Sequence, residues 1–295
     1  MSLLAIPFPE IDPVAFSLGP VAVRWYGLAY LAGLVLGWLY IRRLISEDRL
    51  WPAGRAPFPV TATDDLLLFM TIGVVLGGRL GSVLLYEPGY YLRHPIEIFM
   101  IWKGGMAFHG ALIGTGAAIW LFARVKKVSA LSTMDLCAAA VPIGLFFGRL
   151  ANFINGELWG RVTTAPWGMV FPDVGRYLGS LPEAQRQALG WNPLDPRHPS
   201  QLYEAALEGL VLFIVLRVLT HHRDALKRPG QVVGTFLAGY GVFRSTAELF
   251  RQPDSFHAFT AWGLTPGIVY SVPMILLGIA FIWNARRSQA AGATA

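Results

Sequence analysis

Charge is scarce in this chain. Of its 295 residues only 14% are Asp, Glu, Lys or Arg, against 54% hydrophobic, whereas a soluble domain carries about a quarter charged residues. The deficit excludes an ordinary soluble globule and places the chain among membrane proteins. A single cysteine, Cys137, excludes an internal disulfide framework and a cysteine-cluster metal site. No nicotinamide, nucleotide or metal motif occurs, so neither cofactor nor metal is expected. Repeats are lacking, and so is any linker that would split the chain; residues 1–295 read as one integral membrane unit. The start, MSLLAIPFPEIDPVAFSLGP, lacks a basic segment and holds four prolines and two acids. It does not read as a cleavable signal peptide, so the first apolar helix is expected to act as its own insertion signal.

What is present in quantity is apolar sequence. A spanning helix needs roughly 20 mainly apolar residues, and seven segments qualify, at about 22–42, 64–86, 106–124, 132–153, 200–219, 231–250 and 265–284. The expected fold is therefore an all-α polytopic membrane protein. Basic residues follow the odd-numbered segments: Arg42, Arg43, Arg49 and Arg55, then Arg124, Lys126 and Lys127, then Arg223, Lys227 and Arg228, and last Arg286 and Arg287. Positive loops stay in the cytoplasm, which puts the N-terminus on the periplasmic side and the C-terminus inside. The same bias accounts for the net charge of +6 without a nucleic-acid partner. Residues 155–199, rich in Pro, Gly and Trp, then form a small periplasmic head between spans four and five.

Helix direction sorts the polar residues by depth. Arg24 and Tyr26 begin segment one on the outer side. Arg79 lies late in segment two, and His109 one turn into segment three. Arg149 and Asn152 end segment four, with Asn155 and Glu157 just beyond. Glu204 starts segment five, while Tyr240, Arg244, Glu248 and Arg251 fill the outer half of segment six. Six helices thus send polar groups to one level; Asp135 is the main exception. Tyr240, Arg244, Glu248 and Arg251 step by four, four and three residues and share one helical face. Intramembrane charges line a bundle interior or an aqueous cavity, and guanidinium forks match phosphate oxygens. An outer-leaflet anion site open to lipid fits a phospholipid headgroup. Arg24 and Arg79 taken singly are equally well explained by snorkelling to the interface. Cys137 reads as a small core residue, and the glycines of GVVLGGRLG as close helix packing. A lipid transporter is one rival, but its site would lie near the midplane between repeated, broken helices; a different membrane-embedded lipid transferase is the strongest alternative on physical grounds alone.

Four stretches carry a family resemblance: FHGALIG (108–114), GRLANFINGELWGR (148–161), RHPSQLYE (197–204) and GYGVFRSTAELFRQPD (239–254). With RWYGLAY (24–30) they resemble, in order and over nearly the whole chain, the motifs of the bacterial prolipoprotein diacylglyceryl transferases. The resemblance implies seven spans in a bacterial cytoplasmic membrane, a periplasmic head and a site toward the outer leaflet. It implies transfer of the diacylglyceryl group of phosphatidylglycerol to the lipobox cysteine thiol of a preprolipoprotein signal peptide, with glycerol phosphate leaving, the first step of lipoprotein maturation. Motif by motif it singles out Tyr26, His109, Arg149, Asn152, Asn155, Glu157, Gly160, Tyr240, Arg244, Glu248 and Arg251. Among these His109, Arg149, Arg244 and Glu248 are expected to be catalytic and the others to bind substrate. Two departures are visible. Ala111 stands where the family often has a second glycine. The last span reads LTPGIVYSVPM in place of a Met-Gly-Gln turn, which leaves no polar role for Ile268.

Overall fold

The structure, a computed structural model, describes residues 6–9, 11–252 and 264–293; Pro253 and Asp254, at the end of the last motif, lie outside them. The described residues are mostly helical, and a helix covers each of the seven expected segments. These are α1 (Trp25–Ser46), α2 (Ala62–Gly81), then, after the short α3 (Pro88–Arg93), α4 (Phe108–Lys126) and α5 (Ala130–Ile154). Two short helices follow, α6 (Pro172–Ser180) and α7 (Glu183–Leu189). The fifth segment runs from α8 (Ser200–Glu204) through a π-helical stretch, Ala205–Val211, into α9 (Leu212–His222). Helices α10 (Gln231–Glu248) and α11 (Pro266–Ala293) complete the set. Four runs, Trp25–Ser46, Ala62–Tyr86, Ala130–Ile154 and Gly267–Arg287, are long and apolar enough to cross a membrane by length and composition.

The all-α expectation needs one correction. Strands β1 (Ile6–Pro7), β2 (Val14–Leu18) and β3 (Val21–Arg24) precede α1. β2 and β3 form an antiparallel hairpin, while β1 pairs in parallel with β4 (Met169–Val170). Segment one was expected to turn helical at residue 22. Instead the β-branched Val21 and Val23 stay extended, Gly19 takes the positive φ of +60° at the turn, and Arg24 is the extended residue that caps α1.

Three close helix pairs build the bundle: α1 with α5, α2 with α4, and α10 with α11. Glycine sets the α2–α4 distance, as GVVLGGRLG leads one to expect. A Cβ at Gly77 would stand 2.7 Å from the Gly114 Cα, and one at Gly81 2.6 Å from the Gly110 Cα. With no room for side chains, the two backbones touch directly. Asp135, the inward exception, is fully buried and accepts from the Gly230 and Val233 amides at 2.7 Å each. Its carboxylate thus satisfies two of the orphan donors at the start of α10. Cys137 is a core residue, its Sγ 3.8 Å from the Met70 sulfur.

The segment between α5 and α8 has an apolar core of its own. Trp159, Phe171, Val174 and Leu178 are buried there, with Phe8, Tyr177 and Trp191 packed around them. Arg197 runs through it fully buried, stacked between Trp159 at 4.5 Å and Trp191 at 4.6 Å, and donates to the Gly160 carbonyl at 3.2 Å. Burial pulls its guanidinium down to about 10, with Asp195 opposing, so it remains charged at neutral pH and the two indole faces receive a cation.

Candidate functional site

Helix α5 is stopped by glycine. Gly156, at φ +71°, follows the C-cap Asn155, and its amide closes on the Phe153 carbonyl at 2.9 Å. Two residues later Leu158 also takes a positive φ, +58°, a conformation costing a non-glycine residue about 1–3 kcal/mol. Two buried side chains from α8 hold it there: Ser200 donates to the Leu158 carbonyl at 3.0 Å and Gln201 to the Glu157 carbonyl at 2.5 Å. The chain therefore doubles back, and Glu157 Oε1 accepts from Asn152 Nδ2 at 2.8 Å and Asn155 Nδ2 at 3.4 Å. The three polar residues of NFINGE form one hydrogen-bonded unit at the end of the helix.

Gly160 explains itself by contact. A Cβ there would lie 2.5 Å from the His198 carbonyl oxygen and 2.6 Å from that of Phe250. The residue is bridged in antiparallel fashion to Arg251, and the Arg161 side chain donates to the Arg251 carbonyl at 3.0 Å. The backbone at 160 thus fastens the end of α10 to the start of α8.

Between these ends sits a charge cluster. Glu204, fully buried, pairs with Arg149 at 2.9 Å through one oxygen, and with Arg244 at 2.7 Å and Arg251 at 3.2 Å through the other. Glu248 pairs with Arg244 at 2.6 Å, and Glu208 with Arg149 at 3.4 Å. Arg149, Arg244, Glu248 and Arg251, placed together by helix direction, therefore do meet. Glu204 was placed at the right level but not counted as part of the site, and Glu208 was missed. The missed signal is spacing: Glu204 and Glu208 are one turn apart and share a face, as Arg244 and Glu248 do.

The remaining expected site residues sit on α10, α1 and α4. Tyr240, on the same face of α10, is half-buried and stacks on Phe236. Tyr26 begins α1, its hydroxyl 3.2 Å from that of Tyr30. His109, at the start of α4, has its Nδ1 2.9 Å from the Tyr86 hydroxyl and its ring edge-on to Tyr270 of α11. Gly267, next to Ile268 in the divergent turn, packs directly on the Glu248 carboxylate; a Cβ there would come within 2.6 Å of its carboxyl carbon. Arg79 does not join the cluster, and it does not snorkel. It is buried, donates to the carbonyls of Glu97, Ile98 and Gly104, and lies over the Tyr91 ring, so it shapes the loop before α4.

Below the cluster runs a cavity of about 460 Å³ between α1, α2 and α5. Arg149, Asn152 and Gly148 line its upper end, Gly144 and Leu145 its middle, and Leu66, Met70 and Cys137 its lower part. The arrangement is a charged mouth over an apolar shaft. Among the described residues no group of three or more His, Cys, Asp or Glu is placed to hold a metal ion.

Known proteins share this chain's sequence closely. Residues 13–284 match the family described as prolipoprotein diacylglyceryl transferase. A protein of Rhizobium meliloti (strain 1021) named phosphatidylglycerol–prolipoprotein diacylglyceryl transferase is 52% identical over 291 residues, which cover 98% of this chain and 97% of its own length. The protein of that name from Rhodopseudomonas palustris (strain ATCC BAA-98 / CGA009) is 49% identical over 299 residues, covering 100% and 98%. With the family matched over nearly its whole length and relatives near half identity from end to end, the chain belongs to the prolipoprotein diacylglyceryl transferase family.

Proposed function

We propose that this protein transfers the diacylglyceryl group of phosphatidylglycerol to the lipobox cysteine thiol of preprolipoproteins and releases glycerol phosphate. Membership of the family and the names its relatives carry support the reaction. The observation that carries the site assignment is the mouth of the cavity, where Arg149 stands beside Asn152 over an apolar shaft. The seven helices, four of them fit to span, and the basic loops support seven spans of a bacterial cytoplasmic membrane, N-terminus outside. Residues 155–199 then stand as a periplasmic head, and the charge cluster lies at the outer leaflet.

The reaction forms a bond between sulfur and the glycerol carbon and breaks the bond from that carbon to phosphate oxygen. Both electrons of the broken bond leave with glycerol phosphate. Arg149 and Arg244 grip the phosphate and take up the charge that gathers on it, with Arg251 behind them. Glu248 orients Arg244. Asn152, Asn155, Glu157 and Tyr26 face the glycerol part, and Gly160 holds the two chain ends that frame it. The thiol, of ordinary pKa about 8.5, reacts as the thiolate. His109, its Nδ1 2.9 Å from the Tyr86 hydroxyl, is the candidate base.

Purified protein in detergent, labelled phosphatidylglycerol and a lipobox peptide test the reading. Cysteine-dependent labelling of the peptide is expected, lost in Arg149→Ala and Arg244→Ala. A wild-type protein that binds or moves the lipid but leaves the peptide unlabelled would replace the transferase by a transporter.

A further inference from the structure

Among the described residues, the charges of the cluster that is to receive an anion already balance. Among the described residues three guanidiniums, Arg149, Arg244 and Arg251, meet three carboxylates, Glu204, Glu208 and Glu248. Glu157, hydrogen-bonded to Asn152, adds a fourth acid close by. A phosphodiester entering this group brings one more negative charge into a buried site, where an uncompensated charge is costly. Either a carboxylate moves aside or one takes up a proton.

The three carboxylates are not equally held. Glu204 pairs with all three arginines at 2.7–3.2 Å, and Glu248 pairs with Arg244 at 2.6 Å. Glu208 has only a 3.4 Å contact to Arg149, and its other oxygen, Oε1, is buried without a hydrogen-bond partner among the described residues. It also sits in the π-helical stretch Ala205–Val211, a geometry that recurs at functional sites. The groups facing it are Arg149 from α5, Tyr240 and Arg244 from α10, and Glu204 one turn away on its own run.

Resting on the transferase reading, we propose that Glu208 is a placeholder counter-ion: in the empty site it neutralises Arg149, and it takes up a proton and releases that guanidinium when the lipid phosphate arrives. Glu208 is a positioning residue that acts through Arg149. The proton comes from solvent and returns when glycerol phosphate leaves. Lipid binding therefore weakens as pH rises.

Calorimetric titration of wild-type protein with dioctanoyl-phosphatidylglycerol in detergent, in buffers of different ionisation heat, measures the protons exchanged. The phosphodiester does not titrate near neutral pH, so an exchanged proton belongs to the protein. Uptake approaching one proton per lipid is expected in the wild type and none in Glu208→Gln. In the transfer assay the wild-type KM for lipid should rise toward tenfold per pH unit above neutrality, and that slope should vanish in Glu208→Gln. A merely structural Glu208 would instead raise KM at every pH and leave the slope. Absent proton uptake in the wild type, which needs no variant to fold, overturns the proposal, as does equal uptake in Glu208→Gln. Lipid binding and proton uptake without transfer would sink the transferase reading alone, whereas a wild type that binds no lipid would sink both.

Discussion

Arg149 of α5 and Glu204 of α8 meet at 2.9 Å in a buried pair, and the same carboxylate holds Arg244 and Arg251. Glu204 is thus the junction of three arginines from two helices and the segment after α10. Breaking a buried pair by removing one partner costs about 3–5 kcal/mol, and here three cations lose a shared partner. Glu204→Gln is expected to lower thermal stability and to abolish transfer, whereas Glu204→Asp should keep part of both. A melting curve and a transfer assay on the two variants decide it, and a Gln variant with wild-type melting and activity would remove Glu204 from the machinery.

Gly160→Ala tests the bridge to Arg251. The added methyl has carbonyl oxygens 2.5 and 2.6 Å away, so His198, Phe250 or both must yield. Overpacking of this kind costs about 1–3 kcal/mol. The shift passes straight to Arg251, and activity should fall by more than tenfold while circular dichroism stays unchanged. Near-normal turnover in this variant would show that the bridge does not position the cluster.

The cavity makes its own prediction. A Cβ at Gly148 meets nothing within 4 Å, and Gly148 lines the shaft beside Arg149. Gly148→Phe should therefore fold normally yet occupy the space assigned to an acyl chain. Transfer from long-chain phosphatidylglycerol is expected to drop at least tenfold, more than transfer from the dioctanoyl lipid. Equal loss with both lipids would mean that the shaft does not hold acyl chains.

Asp135→Ala separates stability from chemistry. It removes the acceptor of two buried amides at the start of α10, at about 1–3 kcal/mol for each donor left unsatisfied. A lower melting temperature with unchanged KM is expected at temperatures where the variant is folded. A raised KM would give Asp135 a part in substrate binding.

Mild acid should loosen the head segment. His198, through Nδ1, lies 3.0 Å from the Tyr203 hydroxyl, which accepts from Trp167 at 2.7 Å. Burial lowers the pKa of His198 below its ordinary 6.5. A depressed histidine favours the neutral form, so its contribution is intact above about 6.5 and is lost as pH falls through the lower folded value. Tryptophan emission followed from pH 7.5 to 5 should report the change, and His198→Gln should flatten it; an identical profile in that variant would assign the change elsewhere.

Hydropathy and helix direction by themselves located the helices and set Arg149, Arg244, Glu248 and Arg251 at one level, because 3.6-residue periodicity determines the face and depth of a side chain before any tertiary contact forms. The glycines of α2 were legible for the same reason, since their four-residue spacing stacks them on one face. Partners were not legible. Arg79 and Arg149 occupy comparable depths, yet one binds loop carbonyls and the other the cluster, because the loop before α4 folds over the first. Glu208, one turn past Glu204, becomes a site residue only because α5 packs against its π-helical stretch, and the strain at Leu158 exists only because Ser200 and Gln201 hold its neighbours. The sequence determined which groups reach one end of the bundle; packing decided which of them touch, since a helix dictates where a side chain points but not which helix it meets.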